Sequence, residues 1–447
     1  MKTRKSAWLL VLVLLFVTIA GCSSNNGGNE TTNTNDNGFK VGSDASEEPA
    51  KDVTLTLSIW GDDARKALYE DLMKTFNEQN PNIKVDVLLI PFAEYQQKLS
   101  IMLASKTAPD VVWLAERMVP QFMGSGQLMD VASVKEDSAY NFDDIYPSTL
   151  DLYRDGEKLY GVGFAIGPKE LFFNKTLFEE KGLKTPLELY KEGDWTYDEF
   201  LKAAEAISDP DKGVYGVNLF GSNNSWKNWQ DALMDTIWAF GGDIFNEDKT
   251  AFALNSPGGE QALQFFNDLI YKYNVHPQPG DQTTFESGKL GMVRNTYSYS
   301  TNARSITDFE WDIAPMPTGP NADAPTAVGM AGYSVTKDTK HPEEAMKLFK
   351  YMTSADVMSQ LTGMFQPPRK SVSESDAFLD VGKPSREGMM AALVDPMAKG
   401  VELQPFHENW QQIDVKIQTI LDYLYTQDST VKEVLDLMDK EVGPLVK

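Results

Sequence analysis

Val53-Thr-Leu-Thr-Leu-Ser-Ile-Trp60, then Ile83-Lys-Val-Asp-Val-Leu-Leu-Ile90, then Pro109-Asp-Val-Val-Trp-Leu114 are the runs that decide the fold. In the first, Val53, Leu55, Leu57 and Ile59 alternate with polar residues, the period of a strand. Between the first two runs, Asp62 or Asp63 stands where a helix N-cap belongs, and Leu68, Leu72 and Phe76 recur at helical spacing. Asn80-Pro81 ends that helix. A second helix is predicted from about Ala93 to Ser105. The third run is apolar without interruption, as in a strand covered on both faces. Strand, helix, strand, helix, strand is the pattern of a parallel α/β sheet. Ligands sit at the carboxyl ends of such strands, here Trp60–Asp63, Pro91–Tyr95 and Trp113–Arg117.

Working outward, Thr196-Tyr-Asp-Glu199 reads as a capping box, with Trp195 and Phe200 as its hydrophobic staple. Trp195 is therefore read as structural. Ser256-Pro257 opens a helix carrying Leu263, Phe266, Ile270 and Tyr273 inward, and His341-Pro342-Glu343-Glu344 opens another.

The amino-terminal end reads differently. Lys2, Arg4 and Lys5 precede an apolar run from Ala7 to Ala20, and small residues follow, as in a secretory signal. The run is shorter than the roughly 20 residues a membrane span needs. Ile19-Ala-Gly-Cys22 resembles a bacterial lipobox, which implies cleavage before Cys22 and lipid transfer to it. Cys22 is the only cysteine, so no disulfide forms within the chain. From Ser23 to about Lys51 the chain is rich in Ser, Asn, Gly, Thr and Glu, the composition of a flexible tether. The 447 residues carry a net charge of −24, which argues against nucleic acid or an anionic membrane surface as the binding target. The length exceeds one core, so two or more lobes are expected.

Several segments together resemble extracellular solute-binding protein family 1, the carbohydrate receptors of ABC importers. They are Ala108-Pro-Asp-Val-Val-Trp113, Leu159-Tyr-Gly161, Phe172-Phe-Asn-Lys175, Trp195-Thr-Tyr-Asp-Glu-Phe200, Phe240-Gly-Gly-Asp243, Phe285-Glu-Ser-Gly-Lys-Leu-Gly-Met292, Ile313-Ala-Pro-Met-Pro317 and Tyr333-Ser-Val-Thr-Lys337. The resemblance implies a two-lobed α/β fold of periplasmic-binding-protein type II. Its lobes would be joined by three crossings, near Ala165–Lys169, Ile313–Pro317 and Pro368–Ser373. The expected organisation is signal 1–21, lipidated tether 22–51, first lobe 52–166 plus 316–372, and second lobe 167–315 plus 373–447. It further implies a monomer outside the cytoplasm, and the lipobox with the Asn-rich tether points to a hold by lipid alone on the outer face of a Gram-positive cell. Its partners would be a small carbohydrate and a membrane permease driven by a separate ATPase.

Sugars offer apolar C–H faces, which aromatic rings match, and hydroxyls, which planar polar groups match. Of nine tryptophans, Trp226 and Trp229 stand out, three apart in a polar loop turning into a helix. Both are assigned to ligand, and their joint removal is expected to weaken binding without unfolding. Trp60 sits at a strand end beside Gly61. Trp113 is read as core, and Trp238 fits core and ligand alike. Glu116 and Arg117 follow the third strand at a position where the family makes polar contacts. Tyr297, Tyr299 and Trp410 match segments where the family places aromatic platforms. Arg369 either binds ligand hydroxyls or bridges the lobes. Asp62 binds a hydroxyl or caps its helix, and capping is favoured.

Catalytic signatures are wanting. None of His276, His341 and His407 shows metal-ligand spacing, and the one cysteine leaves no spare thiol nucleophile. There is no Gly-x-Ser-x-Gly elbow and no Walker loop. No metal or cofactor is expected. Paired carboxylates for glycoside hydrolysis stay open, because their separation needs coordinates. A receptor for a peptide or polyamine is the other reading.

Overall fold

The computed structural model describes residues 51–221, 229–407 and 409–446. Residues 51–447 form one compact unit. The predicted alternation is present as β1 (Val53–Trp60), α1 (Asp63–Gln79), β2 (Ile83–Ile90), α2 (Phe92–Ala104) and β3 (Val111–Ala115). Leu55, Leu57 and Ile59 are buried, as the alternation requires. β1 pairs in parallel with β2 along its whole length, and with β3 over Leu57–Val111 and Ser58–Val112. There the β1–β3 ladder stops. The N–H of Trp113 instead donates to the Tyr95 hydroxyl at 3.1 Å, and that hydroxyl also meets Ser58 Oγ at 2.7 Å. Tyr95 thus fills the gap where β1 and β3 part, which opens a crevice at their carboxyl ends.

Two further strands join this first sheet, and one of them runs antiparallel both to β3 and to the other. β4 (Val162–Pro168) pairs with one edge of β9 (Thr326–Val335), and β3 pairs with the other. The second sheet has β5 (Glu170–Asn174), β6 (Tyr215–Asn218), β7 (Leu290–Asn295) and β8 (Trp311–Pro315), in the order β8-β5-β7-β6. Each sheet has its own apolar core. The helices α3 (Tyr197–Ile207), α4 (Trp229–Ala239) and α5 (Pro257–Tyr271) bury their apolar faces in the second core, as does α6 (Trp410–Tyr425). Helix α3 lies so close to β6 that a Cβ at Gly216 would stand 2.2 Å from the Ala204 carbonyl oxygen, so only glycine fits there.

Two expected boundaries shift. The return from the second lobe is complete only at Thr326, about ten residues later than predicted. Thr318 donates to the Trp195 carbonyl at 2.9 Å and Asn321 to that of Ala239 at 2.8 Å, so these residues stay with the second lobe. In addition Val401–Leu403, placed by sequence in the second lobe, pairs in parallel with Thr326–Val328 of the first sheet. That stretch of β9 extends past β3, and the short strand covers an otherwise open edge.

The Thr196 cap is half of the predicted box. Its hydroxyl accepts from the Glu199 N–H at 3.3 Å, while the Glu199 carboxylate pairs with Lys202 at 2.6 Å. The staple is present, with the Trp195 and Phe200 rings 6.2 Å apart, and Trp195 Nε1 donates to the Pro315 carbonyl at 2.9 Å. Complete boxes form at Thr185/Glu188 and Thr430/Glu433 instead.

Candidate functional site

β1 delivers Trp60 to the crevice, and Gly61 follows at φ +142°, a conformation few side chains tolerate. The Trp60 indole lies on that of Trp113, with centroids 4.3 Å apart and planes 15° apart. Phe92 and Tyr95 pack around it at 5.5 and 5.1 Å. Trp113 is buried and continues into Phe164 and Tyr333, so the half-exposed Trp60 rests on a rigid aromatic stack. Offset stacking of this kind stabilises by about 0.5–1.5 kcal/mol per pair beyond area burial.

Glu116 and Arg117 follow the end of β3. Glu116 Oε2 accepts from the Met330 N–H at 3.1 Å, and burial pushes its carboxyl above the usual range. The Arg117 guanidinium lies 4.8 Å over the Phe92 ring. These residues wall a cavity of ≈ 250 Å³ with Met330, Met364 and Phe365 of the first lobe and Thr296, Tyr297 and Ser298 of the second. Beyond Arg117 lies a second cavity of ≈ 410 Å³, lined by Gln96 and Gln121 on the first lobe and His407, Asn409, Trp410, Gln411 and Gln412 on the second. The two share Arg117 and receive side chains from both lobes. A larger cavity of ≈ 580 Å³ lies along the return segment 315–326 and holds none of the predicted site residues. The smaller pair is the better site, because it joins aromatic faces to amides at the carboxyl ends of strands.

The lobes also meet through a charged cluster. Lys169, at the first crossing, pairs with Asp231 of α4, and Arg294 pairs with Asp235 at 2.9 Å and Asp231 at 3.4 Å. Asp235 Oδ1 also accepts from the Ala327 N–H of the first sheet at 3.1 Å. Burial opposes charge on Asp231, but Lys169 and Arg294 outweigh it and hold its carboxyl below the ordinary range. Glu170, beside them, is fully buried with neither carboxylate oxygen hydrogen-bonded, and burial pushes it well up.

Among the predicted site residues, Trp60, Glu116, Arg117, Tyr297 and Trp410 line the two cavities. Cys22 and Trp226 lie outside the described residues. The others turn away. Trp229 is 1% exposed, donates from Nε1 to Asp414 at 2.8 Å, and packs on Trp410, so its removal would open the core. Trp238 is buried in the same core. Tyr299 packs on Phe172, and its hydroxyl donates to Glu286 at 2.6 Å. Asp62 caps α1, accepting from the Arg65 N–H at 2.9 Å. Arg369 is enclosed by carbonyls of the first lobe: Thr353 at 2.9 Å, Asn141 at 3.0 Å and Tyr140 at 3.0 Å, with Asp144 at 3.3 Å. All four partners belong to the first lobe, so these contacts do not bridge the lobes. Phe92 falls in the strand-end segment Pro91–Tyr95 named from the sequence but was not singled out there; Gln96, one residue beyond that segment, and Gln121 were missed.

The model of the bacterial extracellular solute-binding protein family matches residues 61–359. A putative binding protein of Brucella abortus is 24% identical over 75% of this chain and 80% of its own length. The arabinooligosaccharide-binding protein of Bacillus subtilis is 21% identical over 98% of both chains. An ABC substrate-binding protein of Listeria monocytogenes, solved in complex with cycloalternan, shares the fold at a TM-score of 0.75 and 24% identity, covering 88% of this chain and all of that one. Two sheets with separate cores, a crevice at their junction and a family match across most of the folded unit agree: this chain belongs to the bacterial extracellular solute-binding proteins.

Proposed function

We propose that this chain is the sugar receptor of an ABC importer and binds its ligand without converting it. The observation that carries the reading is Trp60, held flat on Trp113 at the wall of a cavity lined by both lobes. A stacked indole is a preformed platform for the apolar face of a sugar ring. The amides of Gln96, Gln121, Asn409, Gln411 and Gln412 supply donors and acceptors for hydroxyls in the neighbouring cavity. The relatives support the same class: one is named for arabinooligosaccharides, and one was solved with cycloalternan.

A ligand that touches both walls favours the lobe arrangement in which both sets of contacts are made. That liganded form docks on a permease, and a separate ATPase powers import. Cys22 is acylated and tethers the receptor outside the cytoplasm, so it stays concentrated near its permease. Among the described residues no helix is long and apolar enough to cross a membrane.

Thermal melting of the Cys22→Ser chain against mono- and oligosaccharides tests the reading. Binding to the native state alone stabilises by about 2.7 kcal/mol at a hundredfold excess over Kd. A melting shift with one glycan class, and no turnover of that glycan, is expected. Shifts only with peptides or amines would overturn the carbohydrate assignment, and turnover would overturn the receptor.

A further inference from the structure

We infer that Arg304 is a positioning residue for the ligand cavity: it forks Tyr297 and the segment 362–363 into one arrangement and so fixes a wall it does not itself line. Arg304 follows the short helix Ser300–Ala303 of the second lobe. Its guanidinium donates to three separate stretches of chain. Nη2 meets the Tyr297 hydroxyl at 2.9 Å, Nη1 the Gly363 carbonyl at 2.8 Å, and Nε the Lys383 carbonyl at 2.8 Å. The Tyr297 hydroxyl in turn donates to the Thr362 carbonyl at 2.9 Å. Two hydrogen bonds thus leave the second lobe and end on adjacent carbonyls of a segment whose neighbours Val357, Met358 and Leu361 belong to the first core.

The next residues, Met364 and Phe365, line the same cavity as Tyr297. Phe365 also meets the Trp113–Phe164 stack, at 6.1 and 5.6 Å. The fork therefore runs from a second-lobe arginine, through two carbonyls, to the aromatic floor beneath Trp60. A guanidinium suits this place because its N–H groups diverge in a fixed plane, whereas an ammonium has one centre. Its acceptors are neutral, and no carboxylate pairs with Arg304 among the described residues. A wall ordered before binding spares the ligand that ordering cost, so the arginine raises affinity without touching the ligand.

The inference rests on the cavity being the ligand site, and the experiment separates the two. In the Cys22→Ser chain, Ile101→Cys and Val415→Cys provide two exposed labelling sites, one on each lobe, in an otherwise cysteine-free background. Spin-label distances are measured without ligand, and Kd is measured for the saccharide that gives the largest melting shift. Arg304→Gln is expected to broaden the inter-lobe distance distribution and weaken binding about tenfold through lost pre-organisation. Arg304→Lys is expected to restore neither. Tyr297→Phe, which keeps the ring, is expected to show the same effects in smaller measure and covers the case in which Arg304→Gln does not fold. Distance distributions that superimpose on the parent's, or full recovery by Arg304→Lys, would overturn the inference. If no saccharide binds, the carbohydrate reading fails, and the distances alone decide the fork.

Discussion

Arg369→Met should destabilise the protein and leave ligand affinity alone. Arg369 is 1% exposed, and its guanidinium lies 4.7 Å over the Tyr140 ring. Methionine keeps much of the stem's packing but removes every N–H. The carbonyls of Thr353, Tyr140 and Asn141 lose a donor. Asn141 still accepts from Asp144 N at 3.3 Å, so two carbonyls carry most of the cost. Each unmet buried acceptor costs about 1–3 kcal/mol. Asp144 keeps two donors, the N–H of Ser371 at 2.8 Å and its hydroxyl at 2.7 Å, so no stranded charge adds to the sum. A loss of about 4 kcal/mol follows. An unfolding entropy of about 2.1 cal/mol/K per residue over roughly 400 residues converts this to a fall of about 5 °C in Tm. The assay is calorimetric melting of parent and variant, with ligand titration well below both transitions. A Tm within about 1 °C of the parent would refute the packing argument, at about 0.8 kcal/mol per degree. A tenfold loss of affinity in the folded variant would return Arg369 to the ligand.

Further outcomes can be checked on the same material. His276 is buried, its Nε2 accepts from the Leu219 N–H at 2.9 Å, its Nδ1 therefore donates to the Pro277 carbonyl at 2.7 Å, and burial pushes the imidazole down to about 4. The unfolded chain binds the extra proton between about pH 6.5 and 4, so this stability is present above pH 6.5 and declines below it, by about 2 kcal/mol at pH 5. The urea midpoint of His276→Gln should accordingly fall less between pH 7 and pH 5 than the parent's, and parallel falls would contradict this. Glu170 has the opposite sign: its raised carboxyl favours the fold when protonated, and that advantage is lost as pH rises through the folded value. Glu170→Gln should gain stability relative to the parent on going from pH 5 to pH 8, and a constant difference would count against it. Trp60→Ala should weaken saccharide binding about tenfold, since stacking on a preformed aromatic face stabilises by about 0.5–1.5 kcal/mol on top of the apolar area it buries. Unchanged affinity in the folded variant would move the platform elsewhere.

Elements whose cause is local were legible beforehand. The alternation in β1, the Asp62 and Ser256 caps and the Trp195–Phe200 staple depend on residues a few positions apart, and all are present. The two-lobed α/β class follows from that alternation, together with a chain too long for one core. Strand ends also pointed to Trp60, Glu116 and Arg117, because a parallel sheet leaves its crevice there. The fate of individual aromatic and basic side chains was not legible. Tyr297 and Tyr299 stand two apart in one short segment, yet one walls the cavity and the other is held by Phe172 and Glu286. Trp229 and Trp410 are 181 residues apart and touch, with one in the core and the other also at a cavity wall. Arg369 finds three of its four acceptors, Asn141, Tyr140 and Asp144, more than 200 positions upstream, and Val401–Leu403 finds an open edge in the other lobe's sheet. Sequence determined which segments are strands and helices, because periodicity and capping are short-range. Only the tertiary structure decided which polar groups are already satisfied and which face open space, because that depends on partners brought together from distant parts of the chain.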